Sequence, residues 1–127
     1  MLLDIASENY NVKAICKIRE DLSYSVPVID FLKENRKTMR SHVDGMMQLF
    51  KRYAAGGRAK LTNDVFHQAS DDGIWRFSKG QLRVYGFLDG NTIVLTNCAL
   101  KKSQKTDKSD ADAARREKEK YMEGRQK

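Results

Sequence analysis

The chain is poor in the residues from which most catalytic and metal centres are built. Its 127 residues include two cysteines, two histidines, one tryptophan and one proline. Cys16 and Cys98 have no CxxC spacing and no histidine near either. That excludes a zinc ribbon and predicts reduced thiols in a cytoplasmic protein. His42 and His67 lack a ligand-spaced partner, so both read as surface side chains and no metal is expected. No glycine-rich loop opens a helix, which argues against nucleotide hydrolysis, and nothing resembles a nucleophile elbow. No apolar run approaches the length of a membrane span, and MLLDIASENY is too short and too acidic for a signal peptide. A membrane partner is therefore not expected. Nor is a small-molecule cofactor.

What the chain has in excess is positive charge. Lysine and arginine number 24 against 17 acidic residues, a formal net charge of +7. Such a balance favours nucleic acid, an acidic protein or an anionic surface as partner, and it also serves plain solubility. The length suits one domain with a modest core.

Hydrophobic spacing supplies the element order. Val12, Ala14, Cys16 and Ile18 alternate with Lys13, Lys17 and Arg19, which predicts a strand over 12–18. Pro27 suits a first helical position, and Val28, Ile29, Phe31 and Leu32 follow at helical spacing. A second, longer helix is expected from the stripe Met39, Val43, Met46, Met47, Phe50, Tyr53 and Ala54, ended by Gly56-Gly57. Arg58 to Leu61 is expected to begin an extended piece, with His67 in the loop that follows. Three strands joined by tight turns at Lys79-Gly80 and Asp89-Gly90 come next. Last is a C-terminal helix with a thin apolar stripe, Ala111, Ala114, Lys118, Tyr121 and Met122, fraying after Gly124. The expected class is α+β: a small antiparallel-rich sheet with two N-terminal helices packed on one face, plus a C-terminal helix. Residues 1–127 form one domain, with 1–11 a poorly ordered lead and 124–127 a poorly ordered tail.

The two turns also predict which way side chains point. With Lys79-Gly80 and Asp89-Gly90 as central pairs, Phe77 meets Leu82, Trp75 meets Val84 and Gly86 meets Ile93, giving an apolar face for the helices. On the other face Arg76 lies opposite Arg83, with Thr96 beside them and Lys102 further along the last strand. Two arginines directly opposed repel each other. A face that sets them together is suited to an anion. Lys101, Lys102 and Lys105 are expected to converge on the same end, with Arg58 and Lys60 near it.

Such a cluster has a limited chemical repertoire. Cleaving RNA beside a 2′-hydroxyl requires that hydroxyl to lose a proton, a pentacoordinate phosphate to be stabilised and the 5′-oxygen to be protonated. Preorganised cations supply the second requirement, one donor contributing about 3 kcal/mol. A lysine crowded by cations can take part in proton transfer. The same residues can also hold a phosphate backbone without chemistry.

The segment GIWRFSKGQLRVYGF resembles the signature of the RelE/ParE superfamily of bacterial toxins, in which an aromatic-Arg pair, a turn and an Arg-Val strand recur. IVLTNCALKKSQKT, followed by a charged helix ending in Tyr121, resembles the HigB-like, phage-derived branch. That branch closes its last strand with a Lys-Lys-x-x-Lys-Thr run, here Lys101, Lys102, Lys105 and Thr106. The resemblance implies a RelE-like fold over nearly the whole chain. It implies the toxin of a type II toxin–antitoxin system, a metal-independent endoribonuclease that cuts mRNA on the ribosome. It also implies a cognate antitoxin of helix-turn-helix type. By the same match Arg83 meets the phosphate, Arg76 is the basic residue of the preceding strand, and Lys101, Lys102 and Lys105 are the basic run. With Tyr85, which the register puts on the Arg83 face, the catalytic candidates are Arg76, Arg83, Lys102, Lys105 and Tyr85; Arg58, Lys60, Lys79, Lys101 and Lys108 are the candidates for nucleic-acid contact. Three features depart from the branch: Ser78 stands where it usually has an arginine, Asn97-Cys98-Ala99 where it often has a His-Gly-Phe stretch, and no tyrosine or histidine stands after the basic run at the place where several ribosome-dependent relatives keep one. Tyr85 and His67 are the remaining candidates for proton transfer. The alternatives are a ParE-like DNA gyrase poison, which needs no acid–base group, and a non-catalytic nucleic-acid-binding member of the same fold.

Overall fold

In a computed structural model, which describes residues 1–101 and 108–126, the chain is α+β, with two α-helices and a mixed six-stranded sheet. The strands of that sheet are β1 (Leu2–Ser7), β2 (Asn11–Ile15), β5 (Phe66–Ser70), β6 (Ile74–Lys79), β7 (Leu82–Asp89) and β8 (Thr92–Leu100), in the spatial order β1-β2-β8-β7-β6-β5. Only β2 and β8 run parallel; the other pairs are antiparallel. A separate two-stranded ribbon joins β3 (Lys17–Ile18) to β4 (Tyr24–Ser25). The expected strand over 12–18 is thus divided at Cys16 between two sheets. The lead segment, expected to be poorly ordered, forms edge strand β1. It does so because its residues find backbone partners along β2.

Helix α1 spans Pro27–Gly56 and replaces the two helices expected there. No glycine or proline stands between Leu32 and Met39 to stop the first one. The chain only leaves helical geometry locally at Met39 (φ −133°, ψ 41°). The apolar stripe keeps its phase across that kink, so Val28 and Leu32 before it and Val43, Met46, Phe50 and Tyr53 after it enter one core. Gly57, at φ 70°, ends the helix with its N–H on Tyr53 O, as the double glycine predicts. Terminal carbonyls find donors in the β1–β2 turn: the N–H groups of Asn9 and Tyr10 both reach Ala54 O, and Asn9 Nδ2 reaches Ala55 O. After Gly57 the chain makes a 3₁₀ turn, Gly57–Lys60, where an extended piece was expected.

The β6–β7–β8 meander forms as expected, but each turn sits one residue later. Lys79 pairs with Leu82 and Asp89 with Thr92, so Gly80-Gln81 and Gly90-Asn91 are the central pairs. Gly80 (φ 57°) and Gly90 (φ 60°) occupy the first central position, and neither following residue has positive φ. That is the type II′ arrangement, which requires glycine first rather than second. Moving the turn by one residue shifts the pairing by two. The faces are therefore unchanged while the partners change: Trp75 meets Gly86, Phe77 meets Val84, Arg76 meets Tyr85 and Ser78 meets Arg83.

The helices cover both faces of the sheet. On one, α1 packs on Val12, Ala14, Phe66, Phe77, Leu82, Val84, Ile93 and Leu95, with Phe50 edge-on to Phe77 at 5.1 Å. Each such buried aromatic stabilises the fold by about 1.5–3 kcal/mol. On the other, α2 (Lys108–Gln126) lays Ala111 and Ala114, flanked by half-buried Tyr121 and Met122, on Ile74, Tyr85, Phe87 and Val94. The face expected to carry cations alone is in part a second, smaller core. The helix continues past Gly124 to Gln126.

Gly86 lies at the centre of this arrangement, where a Cβ would stand 2.5 Å from Val94 O. Gly86→Ala forces β7 and β8 apart and costs about 2–3 kcal/mol. In urea titrations the midpoint should fall with no change in slope; an unchanged midpoint would contradict this packing.

Candidate phosphate-binding face

On the α2 face the antiparallel register lines up one residue from each of four strands: His67 on β5, Arg76 on β6, Tyr85 on β7 and Asn97 on β8. Directly paired residues in such a ladder have Cα atoms about 4.5–5.5 Å apart. The next row holds Ser78, Arg83 and Ala99. Arg76 and Arg83 therefore share a face, as expected, but are staggered across it rather than directly opposed. A β-bulge at Thr96 sets the β8 side of both rows. Gly86 pairs with Leu95 but Tyr85 with Asn97, so Thr96 is the extra residue and Ala99, not Thr96, stands opposite Arg83. The Thr96 hydroxyl lies 2.6 Å from Asn97 Oδ1, and Asn97 Nδ2 donates to Asp110 O at 3.1 Å, tying the start of α2 to the bulge.

The two arginines differ in setting. Arg76 is half-buried. Arg83 is only 8% exposed, and its Nη1 donates to Gly80 O (2.7 Å) and Leu82 O (2.9 Å). Its side chain leaves the main core, but it braces the β6–β7 turn, so truncating it disturbs the hairpin as well as the charge. Beside it the Ser78 hydroxyl is buried with no hydrogen-bond partner among the described residues. Tyr85 lies on the expected face yet is fully buried in the small core under α2.

His67 was expected in a loop and instead stands on β5, half-buried and paired with Arg76. Its Nδ1 lies 3.1 Å from Asn63 O. A carbonyl only accepts, so Nδ1 carries a proton and Nε2 is the ring nitrogen not engaged by Asn63. The sequence offers little sign of this, because Phe66–Ser70 has a single strongly apolar residue facing the core.

The remaining cations divide between the two faces. Lys101 is exposed, and its N–H bonds Gln81 O at 2.8 Å, which holds the exit of β8 beside the turn that Arg83 braces. Lys108 is exposed at the start of α2. Lys102 and Lys105 lie outside the described residues. Lys79 belongs to the opposite face, where its side chain runs against Gly45 of α1. Arg58 is also on the α1 side, its guanidinium 4.7 Å from the centroid of Trp75. Exposed Lys60 is in the same 3₁₀ turn, its side chain against Gly56. The expected convergence of Arg58 and Lys60 with Arg83 does not occur: Trp75 points to the α1 side and Arg83 to the α2 side.

A polar latch holds α2 on this face. Asp72, in the β5–β6 turn, pairs with Arg115, which also binds Asp112, and Lys118 Nζ donates to Asp72 O at 2.9 Å. Tyr121 donates to Asp89 at 2.7 Å, and Lys17 reaches Glu117 at 2.9 Å. The Arg115 guanidinium, then the Ser70 hydroxyl, hold the Asp72 carboxyl well below the usual carboxylate range. Among the described residues no group of three or more His, Cys, Asp or Glu side chains is placed to hold a metal. No described helix is long and apolar enough to cross a membrane. No protein-family model matches the chain, and no curated protein matches it.

A depressed carboxyl contributes stability that is present above its unfolded value, about 3.9, and is lost as pH falls below that. The urea midpoint should therefore drop between pH 5 and pH 3, and drop less in Asp72→Asn. Equal drops in both proteins would show that the latch carries no weight.

Proposed function

We propose that this chain is a RelE-like toxin of the HigB-like branch, an endoribonuclease that acts on mRNA at the ribosome through the α2-side face. The observation that carries the reading is the placement of Arg76 and Arg83 on one face with His67 in register beside Arg76. The resemblance of GIWRFSKGQLRVYGF and KKSQKT to that branch supports it independently.

In this reading the arginines hold the scissile phosphate and stabilise the charge that develops on it. Arg83 is suited to the task because its Nη1 hydrogen bonds fix the guanidinium before substrate arrives. Lys101 and Lys108 track the flanking backbone, with Lys102 and Lys105 of the same run contributing as the family match implies. His67 Nε2 takes the 2′-hydroxyl proton, since burial of Tyr85 removes the other candidate from contact with solvent. Attack of the 2′-oxygen on phosphorus breaks the P–O5′ bond, and the 5′-oxygen leaves with a proton from water, giving a 2′,3′-cyclic phosphate and a 5′-hydroxyl with no metal in the chemistry. A cognate antitoxin would find exposed apolar side chains at Ile18, Leu22 and Tyr24 of the β3–β4 ribbon.

Inducing the protein in cells should stop protein synthesis and create new mRNA 5′ ends. Arg76→Gln should lower cleavage by about 100-fold with little change in melting temperature. His67→Gln should lower cleavage more than it lowers RNA affinity. Intact messages with unimpaired translation would overturn the reading. The burial of Tyr85 favours one second reading, nucleic-acid binding without cleavage: RNA affinity that falls steeply with salt and intact RNA would select it. Induction of DNA breaks would select the gyrase alternative.

A further inference from the structure

On the α1 side, away from the arginine pair, an open pocket of about 480 Å³ is lined by Tyr10, Tyr53, Gly56, Arg58, Leu88 and Gly90. It lies at the end of the sheet that carries the Gly90 turn, whereas Arg83 braces the Gly80 turn at the other end. Three of these residues carry polar groups. Tyr53 is 3% exposed, and its ring meets that of Tyr10 edge-on at 5.8 Å. Neither hydroxyl forms a hydrogen bond among the described residues. Burial, then the neighbouring Tyr10, pushes the Tyr53 hydroxyl above its usual value, so it remains a proton donor. The third group is the Arg58 guanidinium, held over Trp75 at 4.7 Å while Phe66 stacks on the same indole. Arg58 forms no ion pair among the described residues, and no carboxylate lines the pocket.

The Tyr53 ring is buried while its hydroxyl meets the open pocket, where it can donate to a ligand. An arginine preorganised on an aromatic ring, with no carboxylate to neutralise it, suits an anion. The apolar walls are the Tyr10 ring, Leu88 and Ala59. The volume falls in the range of small-molecule sites and exceeds what one inorganic phosphate fills. Gly57 is part of the construction, since at φ 70° any Cβ there would stand 2.9 Å from the Tyr10 ring and displace it.

We propose that this pocket binds a nucleoside monophosphate unit, its phosphate on Arg58 and the two tyrosine hydroxyls, its base against the Tyr10 ring and Leu88. The unit comes either as a free nucleotide or as one residue of an RNA strand. The inference stands on the pocket alone and does not rest on the cleavage reading.

Trp75 is the only tryptophan in the chain, so its fluorescence reports on Arg58. Titrating the full chain with UMP or AMP should give a saturable change that uridine and inorganic phosphate reproduce at least tenfold more weakly. By calorimetry, Tyr53→Phe should weaken UMP binding several-fold and Arg58→Gln by about tenfold or more. Arg76→Gln should leave it unchanged even where it abolishes RNA cleavage, so failure here is separable from failure of the proposed function. A hexanucleotide binding ten times more tightly than UMP identifies the RNA source, and equal or weaker binding identifies the free nucleotide. Absence of saturable binding by any of these probes would overturn the proposal. So would UMP affinity equal to that of phosphate alone, or affinity unmoved in both Tyr53→Phe and Arg58→Gln.

Discussion

The arrangement of the α2-side face depends on one backbone constraint, the register of the β6–β7 hairpin. Gly80 holds a positive φ at the first central position of the turn, and that places Lys79 opposite Leu82 and every later pair in step. A slip of one residue would turn Arg76 and Ser78 towards α1 and drive Trp75 and Phe77 out of the core. Arg83 protects the register it depends on, since its Nη1 binds the carbonyls of Gly80 and Leu82. One side chain thus supports the turn and supplies charge to the face.

Each face of the sheet then acquires its own character. The α1 side is a conventional core, dominated by aromatic contacts among Phe50, Tyr53, Phe66 and Phe77. The α2 side is divided between apolar contacts under Ala111 and Ala114 and the row containing His67, Arg76 and Arg83. Its helix rests on a narrow stripe and is supplemented by the Asp72–Arg115 and Tyr121–Asp89 contacts. Exposed ion pairs of this kind contribute little each and weaken with salt. Docking of α2 is therefore more sensitive to ionic conditions than docking of α1.

The sequence made much of this legible where periodicity was strong and turn chemistry unambiguous. The helical stripe through Phe50 and Tyr53, the double glycine that ends it and the meander all read directly from residue spacing. Which face each meander residue occupies was also readable, because an error of two in register preserves the pleat. Partners were not readable, since both Lys79-Gly80 and Gly80-Gln81 satisfy a preference for glycine and only backbone dihedrals separate them. The bulge at Thr96 left no compositional mark. His67 was hidden because β5 is an edge strand that contributes chiefly Phe66 to the core. The burial of Tyr85 followed from where α2 docks, a long-range fact that a thin Ala111–Ala114 stripe only hints at.

The account centres on cations of the α2-side face acting on an RNA phosphate. The most direct measurement incubates purified protein with mRNA, free and on programmed ribosomes, in the presence of a chelator, and maps both ends of the fragments. The account predicts cuts in ribosome-bound message that leave 2′,3′-cyclic phosphate and 5′-hydroxyl ends and disappear in Arg76→Gln. Message that stays intact, or cuts that persist undiminished in that variant, would contradict it.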